Sequence, residues 1–130
     1  MAQCIVFYEG WQMECCGIPF ALNDMVNWTV DEQVGPVFQK LTLDKVDYCY
    51  DSHIKGYEEL FWLTGQVLEI RALYIKYVPS RTQERLLVPE EGILVNVKEA
   101  HGWEKAIGEK RFAGYVVTLD MQCIRPAKAN

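Results

Sequence analysis

The feature that most limits what this chain can fold into is an apolar pattern of period two in residues 60–78. Side chains alternate between the two faces of a strand, so this period predicts an extended strand. We expect Gly65 to break it. Beyond Gly65, charged side chains point away from an apolar face made of Leu68, Ile70, Ala72 and Tyr74. At Leu73 and Ile75 the opposite face is apolar too, which predicts a bulge or a more enclosed part of the sheet.

Strand signals recur along the rest of the chain, in residues 3–9, 25–30, 46–53, 86–88, 93–97 and 112–121. Residues 31–45 have apolar spacing that fits one face of a helix, but Gly35-Pro36 disrupts its first turn. We predict a mainly β fold, a small antiparallel β-barrel or sandwich of SH3-like or OB-like type, with about six to seven short strands and at most one short helix. No repeat or linker divides the chain, so we expect residues 1–130 to form a single globular β domain.

Charge and hydropathy exclude several classes of function. The net charge is −5, which argues against a duplex nucleic-acid binder, because such proteins need a basic surface. The charge is uneven: residues 1–66 carry three Lys and ten Asp/Glu, whereas residues 67–130 carry ten Lys/Arg and eight Asp/Glu. No apolar run approaches the roughly 20 residues of a membrane span, and the N-terminus lacks a signal-peptide pattern. We therefore expect a cytoplasmic protein with no membrane association.

Two adjacent cysteines mark the segment Trp11–Phe20, which reads as neither helix nor plain strand. The five cysteines are an odd number in a chain without an export signal, which favours free thiols over disulfides. A zinc site would draw on Cys15, Cys16, Cys49 and His53, the last two at a C-x3-H spacing. No C-x2-C pair is present, however, and buried cysteines commonly only fill space. We therefore expect no cofactor, with zinc as the alternative.

Catalytic motifs are missing from the sequence. There is no G-x-G-x-x-G, P-loop or nucleophile-elbow pattern, and two histidines supply few bases for a reactive thiol. The sequence therefore names no catalytic residue and favours a protein that is not an enzyme.

Large aromatic side chains are the better functional candidates. Trp11 and Trp103 each stand beside a glycine in a loop-like context, and Phe20 ends the cysteine segment. Our leading hypothesis is a non-enzymatic binding or interaction module that contacts a protein or small-molecule partner through rim loops carrying these residues. One alternative is a zinc-stabilised or thiol-reactive protein centred on Cys15 and Cys16. A second is single-stranded nucleic-acid binding by an OB-like face that uses the basic half.

The first segment also carries a resemblance. Residues 8–20, YEGWQMECCGIPF, and 23–28, NDMVNW, resemble an uncharacterised bacterial family whose opening motif reads roughly E-x-W-Q-M-x-C-C-G-x-P-F-x-x-G-D-x-V-x-W. Residues 65–70 and Tyr77 resemble its later G-x-V-x-x-I segment and the tyrosine that follows. Asn23 replaces the usual glycine, although asparagine also tolerates a positive φ. The family has no assigned activity, so the resemblance implies kinship and no mechanism.

Overall fold

Eight β-strands and one α-helix form the part of the chain that the structure, a computed structural model, describes: residues 2–32, 46–51, 60–83 and 85–127. In chain order the elements are β1 (Ala2–Glu9), α1 (Gly10–Cys16), β2 (Phe20–Ala21), β3 (Met25–Asp31), β4 (Tyr48–Tyr50), β5 (Phe61–Pro79), β6 (Leu87–Val97), β7 (Glu99–Ala100) and β8 (Arg111–Pro126). The prediction of a mainly β fold is confirmed. No helix within these ranges has the length and hydropathy to cross a membrane.

Six strands form one mixed sheet in the order β3-β4-β1-β8-β5-β6, and β2 pairs with β7 in a small second sheet. β3 also pairs with β5, so the pairings run β5-β3-β4-β1-β8 and return to β5. The expected all-antiparallel arrangement is wrong at one place, because β1 and β4 are parallel, with Val6 opposite Tyr48. A parallel pair requires a crossover between the strands, and the chain between β1 and β4 supplies it.

Two strands continue through residues at which the sequence predicted a break. β5 continues through Gly65, where a Cβ would lie 2.8 Å from the Asp120 carbonyl oxygen of β8. Glycine here permits close packing of two strands and does not end one. Similarly, residues 87–97 form one strand despite Pro89 and Gly92. β6 pairs with β5 alone among the described strands, and an edge strand tolerates a residue without an N–H.

Bulges decide which side chains of β5 are buried. The register between β5 and β8 shifts between Val67 and Glu69, and Leu68 is 40% exposed instead of sharing the buried face of Ile70. A second shift follows Leu73, and residues 72–75 are buried on both faces. The predicted bulge or enclosed stretch near Leu73 is therefore confirmed, and the placement of Leu68 on the buried face is wrong.

The buried side chains form two clusters on opposite faces of this strand. The larger cluster joins β1, β3, β5 and β8 and includes Val6, Trp28, Val67 and Tyr115. The smaller contains Val46, Leu73, Ile75 and Val116. The sequence segments 33–45 and 52–59, which include most of the ambiguous helical stretch, lie outside the described residues.

Candidate binding pocket

The cysteine segment begins with a helix that the sequence did not predict. α1 follows β1 directly, and no side chain caps its first turn. Gly17 ends it, and its N–H donates to the carbonyl oxygens of Gln12 and Met13 at 3.0 and 3.2 Å. A helix of seven residues is too short to repeat an apolar period, so the pattern left no helical signal.

One side of α1 is buried against the sheet. Gln12 and Met13 are buried, and the Gln12 Nε2 donates to the Tyr50 carbonyl oxygen at 3.0 Å, which attaches the helix to β4. Trp11 lies on the outer side at 44% exposure, and its Nε1 donates to the Glu9 carboxylate at 2.9 Å. Trp11, a candidate residue of the binding surface, is therefore partly exposed on a helix and not in the expected loop.

Gly17 sets the direction of the chain after the helix. A Cβ at this position would lie 2.5 Å from the Tyr8 hydroxyl and 2.7 Å from the Cα of Met13. Only glycine permits the chain to pass this close to α1 and β1. The next three residues, Ile18, Pro19 and Phe20, consequently lie beside the aromatic residues of the core, where they line a pocket.

This pocket has a volume of about 380 Å³, and four described parts of the chain line it. Residues 18–20 form one wall, residues 24–28 form another, and Tyr8 of β1 and Tyr50 of β4 complete it. Ile18 and Met25 at its rim are 81% and 58% exposed. Large apolar side chains exposed to water on one concave surface are typical of a site that binds an apolar group.

Four aromatic rings form the floor of the pocket. Tyr8 and Tyr50 stack with centroids 3.9 Å apart and planes within 9°. Trp28 meets both of these rings edge-on, at 5.4 and 5.9 Å. Phe20 lies 5.0 Å from Trp28, also edge-on. Pairs of this kind add about 1 kcal/mol each beyond their buried area, so the floor is rigid.

Asp24 is the one charged side chain among the lining residues that the structure describes. Its Oδ2 accepts the Ala21 N–H at 2.9 Å, which closes the turn that leads from β2 to β3. Asn23 in the same turn has φ 73°, the left-handed conformation that asparagine tolerates. Asn27 is bound to the neighbouring strand, because its Oδ1 accepts from the Thr64 hydroxyl at 2.9 Å. No lysine or arginine is among the described lining residues.

Trp103 lies outside this pocket, on a loop held by buried Tyr115. The Tyr115 hydroxyl accepts the Gly102 N–H at 3.0 Å and donates to Glu104 at 3.2 Å. Burial, followed by the nearby Glu104 carboxylate, raises the pKa of Tyr115, which keeps it a neutral donor. His101 is 3.5 Å from the same carboxylate. Trp103 itself is 70% exposed.

The three residues predicted to form one binding surface thus occupy different settings. Trp11 is on the outer side of α1, Trp103 is on the Tyr115-held loop, and neither lines the pocket. Phe20 does line it, as a buried ring of the floor. The binding role of these residues stays a prediction.

The cysteines do not form a metal centre within the described residues. Cys15 is exposed, Cys49 is partly buried, and no group of three or more metal-ligating side chains occurs in the ranges described above. His53 and the side chain of Cys16 lie outside the described part of the structure. Zinc binding by this set therefore stays an untested alternative.

We expect the thiols to differ strongly in reactivity. Burial, followed by the nearby Asp47 carboxylate, raises the pKa of Cys4 to about 11, whereas Cys15 and Cys123 are exposed. Since the thiolate is the reactive form, iodoacetamide at about pH 8 should label Cys4 about 100-fold more slowly than Cys15 in the folded protein. Peptide mass spectrometry after timed labelling measures this. Equal labelling rates for the two cysteines in the folded state would contradict it, and denatured protein provides the reference.

Sequence reasoning missed most of the pocket. The sequence pattern predicts ordinary inward-facing strand residues at Tyr8, Trp28 and Tyr50. It places Ile18 in a loop. The available signal was Gly17 followed by Pro19 and a run of apolar residues, which marks a tight chain reversal next to the core. This local signal does not predict which distant strands contact the chain reversal.

Comparisons with known proteins identify a family for this chain but give no function. The sequence model described as "Family of unknown function (DUF6578)" matches residues 2–121. Neither curated proteins nor solved structures give a match. The expected kinship with a family that has no assigned activity is confirmed at this level, while the opening motif and the bacterial source stay predictions.

Proposed function

Because the chain belongs to DUF6578, a family of unknown function, we propose its function from the pocket itself: it is a non-enzymatic binding module that holds an apolar group of its partner. The observation that carries this proposal is the pairing of a rigid aromatic floor with two exposed apolar residues at the rim, Ile18 and Met25. Burying such surface supplies about 25 cal/mol for each Å², so a partner that covers the rim gains binding energy without any rearrangement of the floor.

The chemistry of the lining supports binding over catalysis. Asp24 is the one carboxylate among the described lining residues, and its side chain already accepts a backbone N–H in a turn. The tyrosines of the lining have their rings stacked on each other. A general acid or base needs a titratable group aimed at a reacting atom, and this lining offers none beyond Asp24 in the described residues.

The strand pairings support a small barrel as the scaffold of this binding module. The circuit β5-β3-β4-β1-β8 returns to its start, which fits a small barrel of the OB-like type. The pocket lies against three of these strands and the chain reversal at residues 17–20. The described residues of the lining include no lysine or arginine, which favours an apolar group over a nucleic-acid strand, because nucleic-acid sites combine aromatic rings with basic side chains.

Indole is a suitable probe for the pocket, since it is a flat apolar ring without charge. We expect it to bind with a Kd on the order of 1 mM, as is usual for a small fragment. Titration followed by 1H–15N correlation NMR should move the backbone amide signals of Ile18, Phe20 and residues 24–28. Shifts confined to other regions, or no saturable shift, would remove the proposal.

A matched pair of variants tests the rim. Ile18→Ser should weaken indole binding about fivefold, because it removes roughly 1 kcal/mol of apolar contact. Ile107→Ser changes an exposed isoleucine outside the lining and should leave binding unchanged. Equal affinities of the two variants would contradict a role for the rim.

A further inference from the structure

We propose that the ligand of this pocket is an apolar amine, a small molecule whose ring lies against the aromatic floor and whose ammonium group pairs with Asp24. This inference rests on the proposed function, since it names the ligand class of the same site. Its basis is the position of Asp24, the hydrogen bonds that hold it, and the charge of the surrounding chain.

Hydrogen bonds fix the position of Asp24 at the pocket wall. Its Oδ2 accepts the Ala21 N–H at 2.9 Å, and its backbone N–H donates to the Ala21 carbonyl oxygen at 3.2 Å. Its own carbonyl oxygen accepts the Val67 N–H at 2.9 Å, which attaches the turn to β5. A side chain held in this way loses little conformational entropy when it pairs with a ligand.

The carboxylate of Asp24 can still accept hydrogen bonds from a ligand. An ionised carboxylate has about four acceptor sites and no donor, and the Ala21 N–H occupies one of these sites. Asp24 is an exposed residue of the lining, so a ligand can reach it. Within the described residues, no lysine or arginine forms an ion pair with it. An ammonium, which supplies three N–H donors and a positive charge, is the complementary group.

The chain around the pocket is strongly acidic. Residues 1–66 include every described residue of the lining, and they hold ten Asp/Glu and three lysines. Residues 47–59, which include Tyr50 of the pocket and continue beyond the described ranges, hold four Asp/Glu and one lysine. The acidic excess is thus a property of the sequence, whatever the position of the segments outside the described ranges. Such a field attracts a cation and repels an anion.

The size and the aromatic rings of the pocket fit the rest of this ligand. Its volume of about 380 Å³ falls within the range of roughly 300–1,000 Å³ that is usual for sites of small molecules. The floor and the exposed rim residues Ile18 and Met25 can cover an apolar ring. The faces of aromatic rings are electrostatically negative, so the floor also disfavours an anion. A ring that carries an ammonium therefore complements both the floor and Asp24.

Three indole derivatives test the charge of the ligand, because they differ only in the group that ends a two-carbon chain on the ring. Tryptamine ends in an ammonium, tryptophol in a hydroxyl and indole-3-propionate in a carboxylate. We expect tryptamine to bind about threefold more tightly than tryptophol, the effect of a partly exposed ion pair, and indole-3-propionate to bind about threefold more weakly. Titrations of the full chain near neutral pH, followed by 1H–15N NMR, give the three Kd values. Tryptamine should also displace indole and move the Asp24 amide signal.

Asp24→Asn tests the assigned carboxylate, because asparagine keeps an acceptor for the Ala21 N–H but has no charge. This variant should bind tryptamine and tryptophol with equal affinity, and saturable tryptophol binding shows that its pocket is intact. Glu14→Gln removes an exposed charge of α1 outside the lining, and this matched control should keep the preference for tryptamine. Equal loss of the preference in both variants would assign it to the general negative charge and overturn the pairing with Asp24.

The proposed function and the ligand class fail by different results. If neither indole nor its derivatives bind the pocket, the proposed function itself fails. If tryptophol binds but tryptamine binds no more tightly, or indole-3-propionate binds as tightly as tryptamine, the apolar amine is overturned while the pocket stands. The ligand series in the unchanged chain gives this answer even if Asp24→Asn does not fold.

Discussion

Replacing Trp28 with alanine is expected to lower the free energy of unfolding by about 4 kcal/mol, the usual cost of removing a large buried aromatic ring. Trp28 is 8% exposed and lies edge-on to Tyr8, Phe20 and Tyr50, so its loss leaves a cavity bounded by three rings. Since domains of this size are stable by only about 5–15 kcal/mol, the variant should lose a large part of its stability. Urea denaturation followed by far-UV circular dichroism measures the change.

Trp103→Ala is the matched control for this experiment. Its ring is 70% exposed, so the same chemical change should shift the free energy of unfolding by no more than about 0.5 kcal/mol. Trp28→Phe keeps a ring in the floor and should cost about 2 kcal/mol, which remains measurable if the alanine variant does not fold. Similar losses for Trp28→Ala and Trp103→Ala would show that the aromatic floor does not stabilise the fold.

Gly114→Ala should destabilise the protein by at least about 3 kcal/mol, because strain and a steric clash act together. Gly114 has φ 155°, and a Cβ there would lie 2.5 Å from the Tyr8 carbonyl oxygen and 2.8 Å from the ring of Phe7. The contact falls where the end of β1 pairs with β8, with Glu9 opposite Gly114. A backbone oxygen within a strand pair cannot move aside without breaking hydrogen bonds of the pair.

Gly108→Ala separates strain from clash. Gly108 has φ 58°, and no atom lies within 4 Å of a Cβ built on it. This variant should therefore cost only about 1 kcal/mol, the strain of a left-handed alanine. Differential scanning calorimetry of the two variants compares them directly. If Gly114→Ala were no more destabilising than Gly108→Ala, the close approach of β1 to β8 would be wrong.

The sequence predicted strands better than their ends. Burial of alternate residues is a local property, and it correctly indicated β1, β3 and the central parts of β5 and β8. The sequence predicted a break at Gly65, and the separate strand signals at 86–88 and 93–97 implied another at Pro89 and Gly92, although all three residues lie within strands. Their effect depends on the neighbouring strand: Gly65 allows Asp120 to approach, and Pro89 lies on an edge. Whether a glycine or proline ends a strand therefore cannot be predicted until the neighbouring strand is known.

The cysteine segment shows the same limit at the candidate site. Its composition marked it as unusual, and residues 18–20 do line the pocket. Of its two thiols, Cys15, whose side chain the structure describes, does not line the pocket. Ile18 forms part of the pocket rim, and Gly17 permits the close turn that leads to it. Gly17 is needed because Tyr8 and Met13 pack against it, a contact between different elements that spacing does not encode.

The sequence by itself thus determined that the chain is mainly β, because side-chain alternation and β-branched and aromatic content act over a few residues. Only the tertiary structure decided that β1 and β4 are parallel, that the strand pairings return to their start, and that Tyr8, Ile18, Trp28 and Tyr50 meet in one pocket. The physical reason is that backbone hydrogen bonds between strands are chemically alike at every position. The choice of partner strand therefore depends on the packing of the whole core, not on any local signal.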